Sequence, residues 1–316
     1  MNKRSLWISF FLVVCLPGIL TSVIPDKYQE EIVTDTTLIQ PLQMDRETYL
    51  IRLLDGNQVT QMDIEDYVCG VLLGEMPASF STEALKAQAV AARTYTLRKI
   101  GTSQRHPGAD LCTDPGCCQA FVFTEQYNGS QEDFRKITGA VEETKGEILT
   151  YNGDLIDATY YSCSGGRTEA AVAVWGADIP YLQAKDSPGE EEAKYYRDEM
   201  VFTQEQIMEK LNIDPANCRF IYSDITYTDG GGVETINICE KNFSGTQIRN
   251  LLGLRSTAFS IVVNGDNVTF VTKGYGHRVG MSQYGAQAMA QEGSDYTQIL
   301  SYYYPNTKME TMDSYL

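Results

Sequence analysis

Basic residues are scarce in this sequence. Lys and Arg number 25 against 42 Asp and Glu, giving a formal net charge of −17. Such a surface repels polyanions, which argues against nucleic acid, and against anionic polymers such as teichoic acids, as main partners. Histidine is scarcer still. There are two, His106 and His277, so each is conspicuous. Long uncharged apolar runs are nearly absent. The exception is Leu6 to Ile24, nineteen residues preceded by Lys3 and Arg4. About 20 apolar residues span a hydrocarbon core, and a basic flank holds the N-terminus in the cytoplasm. Residues 1–24 are therefore expected to form one membrane anchor helix. A cleaved signal peptide is the other reading. No A-x-A-like site follows, and Cys15 lacks the small preceding residue of a lipobox, although Pro17-Gly18 weakens a span. In either case the rest of the chain acts outside the cytoplasmic membrane. Residues 25–45 are polar and threonine-rich and suit a stalk, leaving 46–316 as the working domain. Its length and the chain's 43% hydrophobic content are ordinary for one large domain or two lobes.

The segment Gly74–Tyr95 organises the remainder. Glu75 closes an apolar stretch, Val68 to Leu73, and lies just before Pro77. A proline disfavours helical geometry in the residue before it, so a helix over Asp63–Leu73 should stop near Met76. Low polarity around Glu75 would raise its pKa and keep a proton available for donation. A solvated glutamate at a helix end is the plain alternative. Ser81 or Thr82 can cap a second helix starting near Glu83, rich in alanine. On it Lys86 and Arg93, seven apart, share one face. Packed among small residues, they suggest either a ligand or simple partners such as Glu83.

Three of the eight cysteines crowd into seven residues, in the pattern His106-x5-Cys112-x4-Cys117-Cys118. Thiolate and imidazole are zinc's preferred ligands, and four of them complete a closed tetrahedron with a structural role. A disulfide or free thiols are the alternative. Further on, Phe121–Phe123, Glu147–Thr150 and Ile156–Tyr161 look like strands, the last two joined at Asn152-Gly153. Ser162–Thr168 is glycine-rich, which suits either a structural turn or close approach to a ligand, and Trp175 and Tyr181 are rings that either pack in the core or, if exposed, stack on sugars. Glu190–Glu192 reads as an acidic surface run. Thr203 with Gln206 makes a capping-box pattern. Hairpins are expected around Asp229–Gly232 and Asn264-Gly265, with a helix over Ser244–Leu252 between them. Glycine at four places in Gly274–Gly285 argues for close backbone packing. The fold class is α+β: mixed helices and antiparallel hairpins in two lobes around a cleft.

Glu75-Met-Pro, the helix Glu83–Tyr95, the Ser162–Thr168 loop and the Gly276-His277 to Gly285 stretch occur in this order. Together they resemble the stage II sporulation protein D family, over about Thr48 to Tyr304. The resemblance implies a peptidoglycan lytic transglycosylase of the septal membrane. It would thin septal wall and drive engulfment with the stage II sporulation proteins P and M. Glu75 matches the family's catalytic acid. Clostridial-type members carry His-x5-Cys-x4-His-Cys in the zinc loop, so Cys117 here replaces a histidine, and a Cys3His zinc site is implied. A lytic transglycosylase needs one carboxylate, because the muramic acid C6 hydroxyl attacks from within the same sugar. Family members prefer strands stripped of stem peptides, so Lys86 and Arg93 are candidate ligands for the lactyl carboxylate thereby exposed. Tyr160, Ser164, Thr168, His277 and Gln283 are candidates for lining the cleft. Two other classes remain: a zinc hydrolase of the peptide side of the wall, and a non-catalytic wall-binding activator of a partner amidase.

Overall fold

The Asp55-Gly56 turn folds back as its residues suggest. It joins β1 (Leu50–Asp55) and β2 (Gln58–Asp63) in an antiparallel hairpin. Asp63 then caps α1 (Ile64–Glu75), its carboxylate accepting the Glu65 N–H at 2.7 Å. Helix α1 buries Tyr67, Val68, Val71 and Leu72 completely against α2 (Thr82–Thr102). Burial of each such side chain contributes roughly 1.5–3 kcal/mol. The alanines of α2 let its neighbours approach, and it contacts α1 and most later elements of this half of the molecule. The computed structural model describes residues 49–102, 105–214 and 218–315, all within the compact unit Glu47–Leu316. The expected anchor, residues 1–24, and stalk, residues 25–45, lie outside the described residues. Among the described residues no helix is long and apolar enough to cross a membrane.

In chain order there follow β3 (Leu111–Cys112), parallel to β1, then α3 (Gln131–Glu143), β4 (Glu147–Tyr151), β5 (Asp154–Leu155), β6 (Tyr160–Tyr161) and α4 (Ala171–Trp175). Next come β7 (Arg197–Thr203), α5 (Gln204–Lys210), β8 (Tyr222–Tyr227), β9 (Val233–Ile238), β10 (Lys241–Ser244), α6 (Gly245–Leu252), β11 (Phe259–Asn264) and β12 (Asn267–Lys273). The chain closes with β13 (Met281–Ser282), α7 (Gln283–Gln291), α8 (Tyr296–Tyr303), β14 (Lys308–Thr311) and α9 (Met312–Tyr315). The class is mixed α and β, with small and mostly antiparallel sheets.

Two hydrophobic clusters form. One gathers α1, α2, α3, β4, α7 and α8. The other is built from one continuous stretch, Phe202 to Phe270. Within that stretch the expected features appear: the capping box of Thr203 and Gln206, the β8–β9 and β11–β12 hairpins, and α6. Cys218 and Cys239 join in a disulfide beside that core. Two strand expectations fail. Phe121–Phe123 forms no strand, because its Val122 N–H bonds to the Gly70 carbonyl of α1 instead of a sheet. Ile156–Tyr161 is strand only at Tyr160–Tyr161, which pairs in parallel with Met281–Ser282. That pairing also identifies what the glycine-rich stretch packs against: a Cβ on Gly280 would lie 2.0 Å from the Thr159 carbonyl oxygen.

Candidate active site

Helix α1 ends where Pro77 requires. Met76 is extended, with φ −127° and ψ 139°, which makes Glu75 the last helical residue. The Glu75 carboxyl turns toward the segment after Cys118. Its Oε1 accepts the Ala120 N–H at 2.8 Å and its Oε2 accepts Gln283 Nε2 at 3.2 Å. Burial raises its pKa above 4.5, and these two hydrogen bonds offset only part of that rise.

Glu75 faces a cleft of about 920 Å³, also lined by Tyr160, Trp175, Tyr275, His277 and Gln283. The second hydrophobic cluster contributes no lining residue, so the cleft does not lie between the two cores. The segment Pro115–Ala120 lines it as well, next to Glu75. Its buried Gln119 is a hub that its sequence context did not announce. Gln119 accepts from the Tyr160 hydroxyl at 2.7 Å and donates to Tyr67 at 3.1 Å and Thr96 at 2.9 Å. His277 lies between the Tyr161 and Trp175 rings, 5.5 and 5.4 Å away. Its Nδ1 accepts the Val279 N–H, and the ring also bonds to the Tyr160 backbone. Burial, then nearby Arg249, push its pKa down to about 4. His277 is thus neutral at pH 7 and serves as wall, not as a proton donor.

Four further candidates lie elsewhere. Arg93 is fully buried. Its guanidinium donates to Glu65 at 2.9 and 2.5 Å and to the Glu147 carbonyl at 3.1 Å. Lys86 pairs with Glu83 at 3.0 Å and Glu143 at 2.6 Å. Neither lines the cleft, so the shared cationic face of α2 binds protein carboxylates, and neither cation counters the raised pKa of Glu75. Ser164 and Thr168 are buried and also absent from the cleft wall. Thr168 accepts the Lys185 N–H at 2.9 Å. Ser164 is held by Glu190, which belies the expected acidic surface run because it is 1% exposed. Glu190 accepts from the Ser164 N–H at 2.6 Å, the Ser164 hydroxyl at 2.8 Å, the Gly165 N–H at 3.3 Å and Ser187. Its role is to tie the Ser162–Gly166 loop down. No local pattern distinguishes Glu190 from its exposed neighbours Glu191 and Glu192.

The ligand atoms of His106, Cys112, Cys117 and Cys118 all lie within 4.8 Å of one another. His106 Nε2 is 3.3 Å from Cys118 Sγ and 3.6 Å from Cys117 Sγ, and Cys112 Sγ is 3.7 Å from Cys118 Sγ. Bonds of about 2.1 Å to nitrogen and 2.3 Å to sulfur give tetrahedral edges of about 3.6–3.8 Å. Donor set and spacing therefore fit a tetrahedral zinc ion. The cluster abuts the cleft, since Cys118 precedes Gln119 and Ala120, which reach Tyr160 and Glu75.

Residues 55–151 match the family described as stage II sporulation protein. Stage II sporulation protein D of Bacillus subtilis is 39% identical, covering 83% of this chain and 78% of the relative. Its counterpart in Bacillus amyloliquefaciens is 38% identical over the same shares. The amidase enhancer of Bacillus subtilis is 32% identical, covering 78% of this chain but 40% of that longer protein. On this evidence the chain belongs to the stage II sporulation protein D family.

Proposed function

We propose that this protein is a peptidoglycan lytic transglycosylase acting in sporulation. It cleaves the bond between MurNAc and GlcNAc in strands lacking stem peptides and leaves 1,6-anhydro-MurNAc ends. One observation carries this reading. Glu75 lies in the cleft between two neutral donors, with a raised pKa. The other carboxylate lining the cleft, Asp157, faces Arg98 at 3.7 Å. Hydrolysis would ask for a second free carboxylate, whereas intramolecular attack does not. Glu75 donates its proton to the departing GlcNAc O4 as the bond from C1 breaks. The muramic C6 oxygen bonds to C1, and its proton passes to the Glu75 carboxylate. Exposed Trp175 and Tyr275 offer ring faces to the sugars.

His106, Cys112, Cys117 and Cys118 would hold one zinc ion. Bound there, it would supply a cross-link in a loop that has little core of its own. The same reading puts the domain outside the cytoplasmic membrane, held by an N-terminal anchor and facing septal wall. Stage II sporulation proteins P and M would be its partners in wall thinning and engulfment. Similarity to an amidase enhancer favours a second reading, a wall-binding activator without catalysis.

Digestion of peptide-stripped strands with the full chain, read by mass spectrometry, separates the two. Anhydro ends that disappear with Glu75→Gln support the transglycosylase. Products one water heavier would mean hydrolysis. Strand binding without cleavage by either protein would favour the activator.

A further inference from the structure

The charges lining the cleft do not balance. The acidic and basic side chains there are Glu75, Lys99, Asp157 and His277. His277 is neutral, and Asp157 faces Arg98 at 3.7 Å. Glu75, as the proton donor of the proposed reaction, is neutral when it acts. Lys99 is left over. It lies half-buried in the last turn of α2, its Nζ 5.0 Å above the Tyr95 ring. Burial pushes the Tyr95 hydroxyl up to about 12, so that phenol supplies no counter-charge. Among the described residues no carboxylate pairs with Lys99. In a chain of net charge −17, an unpaired ammonium on a cleft wall suits an anionic group of the ligand.

We propose that Lys99 is a specificity residue whose ammonium pairs with the lactyl carboxylate of a muramoyl unit without its stem peptide. The inference rests on the proposed glycan-cleaving function. Attachment of a peptide converts that carboxylate to an amide and removes its charge. A charge-assisted hydrogen bond, about twice as strong as a neutral one, is then lost. The cleft thereby discriminates stripped from peptide-bearing strands at a residue other than the proton donor. A competing role for Lys99 is to offset thiolate charge on Cys117 and Cys118, which line the same cleft.

The test uses binding, so that it stands apart from turnover. Short stripped strands, and the same strands with their lactyl carboxylates converted to methylamides, are titrated calorimetrically into the full chain carrying Glu75→Gln. The free acid is expected to bind about tenfold tighter than the amide. Adding Lys99→Met should erase that preference, and Lys99→Arg should keep it. A preference that survives Lys99→Met overturns the proposal. So does equal weakening on both strand forms accompanied by loss of bound metal, which would assign Lys99 to the thiolates. Cleavage is scored separately with the wild-type chain. Absence of anhydro ends there, with the carboxylate preference intact, would remove the transglycosylase reading and leave the Lys99 contact standing.

Discussion

At the scale of single residues, surroundings decide what each ionisable group does. Glu75 and Glu65 both belong to α1, yet one faces neutral donors and the other a buried guanidinium. A carboxyl whose folded pKa is raised holds a proton that the unfolded chain has already released. Stability therefore falls as pH rises from 4.5 through the raised value, and stays lower above it. Glu75→Gln removes that penalty while keeping an oxygen for the Ala120 N–H. The variant should be inactive yet the more stable protein at pH 7, with the advantage vanishing below pH 4.5. Urea midpoints at pH 4 and pH 7 check this, and an equal gap at both would sink it. Wild-type cleavage should fall as pH rises through the same raised pKa. Arg93→Ala should instead act on folding. Removing it strands Glu65 and frees the carbonyl of Glu147, at a cost of about 3 kcal/mol. The thermal midpoint should drop by roughly 10 °C. Unchanged stability with altered strand preference would return Arg93 to the substrate. Its spacing from Lys86 told that the two share a face, and Glu83 three residues before Lys86 was a legible partner, but the other partners come from α1, α3 and β4, distant in the chain.

Among elements, the contact of α1 with the segment after Cys118 governs the site. Gly74 permits it, since a Cβ there would lie 2.9 Å from the Ala120 carbonyl carbon and the Phe121 nitrogen. Backbone atoms cannot swing aside as a side-chain tip can. Gly74→Ala gains up to about 1 kcal/mol of helix propensity but must push Ala120 away from Glu75. Cleavage should fall at least about tenfold while the thermal midpoint moves little, because a misplacement of about 1 Å is costly to chemistry. Full activity would show that the Ala120 hydrogen bond is dispensable. Features with local causes were legible in advance: the end of α1 before Pro77, the capping box of Thr203, the two hairpins and the four grouped His and Cys residues. Those set by distant partners were not. Phe121–Phe123 has strand composition but spends a backbone donor on Gly70. Helix α3 buries only Ile137, Ala140 and Val141, a sparse apolar face whose partners are the earlier helices α1 and α2. Gln119 and Lys99 are ordinary residues in sequence, and the cleft alone brings them to notice.

In the whole molecule, the second cluster is threaded into the middle of the chain and its return strand leads straight into the cleft wall. Ties between the two are specific. Gly276 N–H bonds to the Arg255 carbonyl at 3.1 Å, and the Arg255 guanidinium lies 4.4 and 5.0 Å from the Tyr195 and Tyr275 rings. Arg278 donates to the Gly230 carbonyl at 2.5 Å, and Thr228 donates to buried Glu169 at 2.6 Å. The second cluster thus acts as a footing for Tyr275 and His277 although none of its core side chains reaches the cleft. The Cys218–Cys239 disulfide closes a separation of 21 residues around β8 and β9. A loop of that size stabilises by about 3 kcal/mol, chiefly by restricting the unfolded chain. Replacing both cysteines by serine should weaken exchange protection in β8 and β9 first, since the other cluster keeps its own core. Through Gly276 and Arg278 the loosened footing should then lower cleavage several-fold, while the proposed zinc site stays intact because His106 and its partners lie in the other cluster's half. Hydrogen exchange and rate measured on the same preparation decide this. Lost protection in β8 and β9 with an unaltered rate would show that the cleft wall stands without its footing.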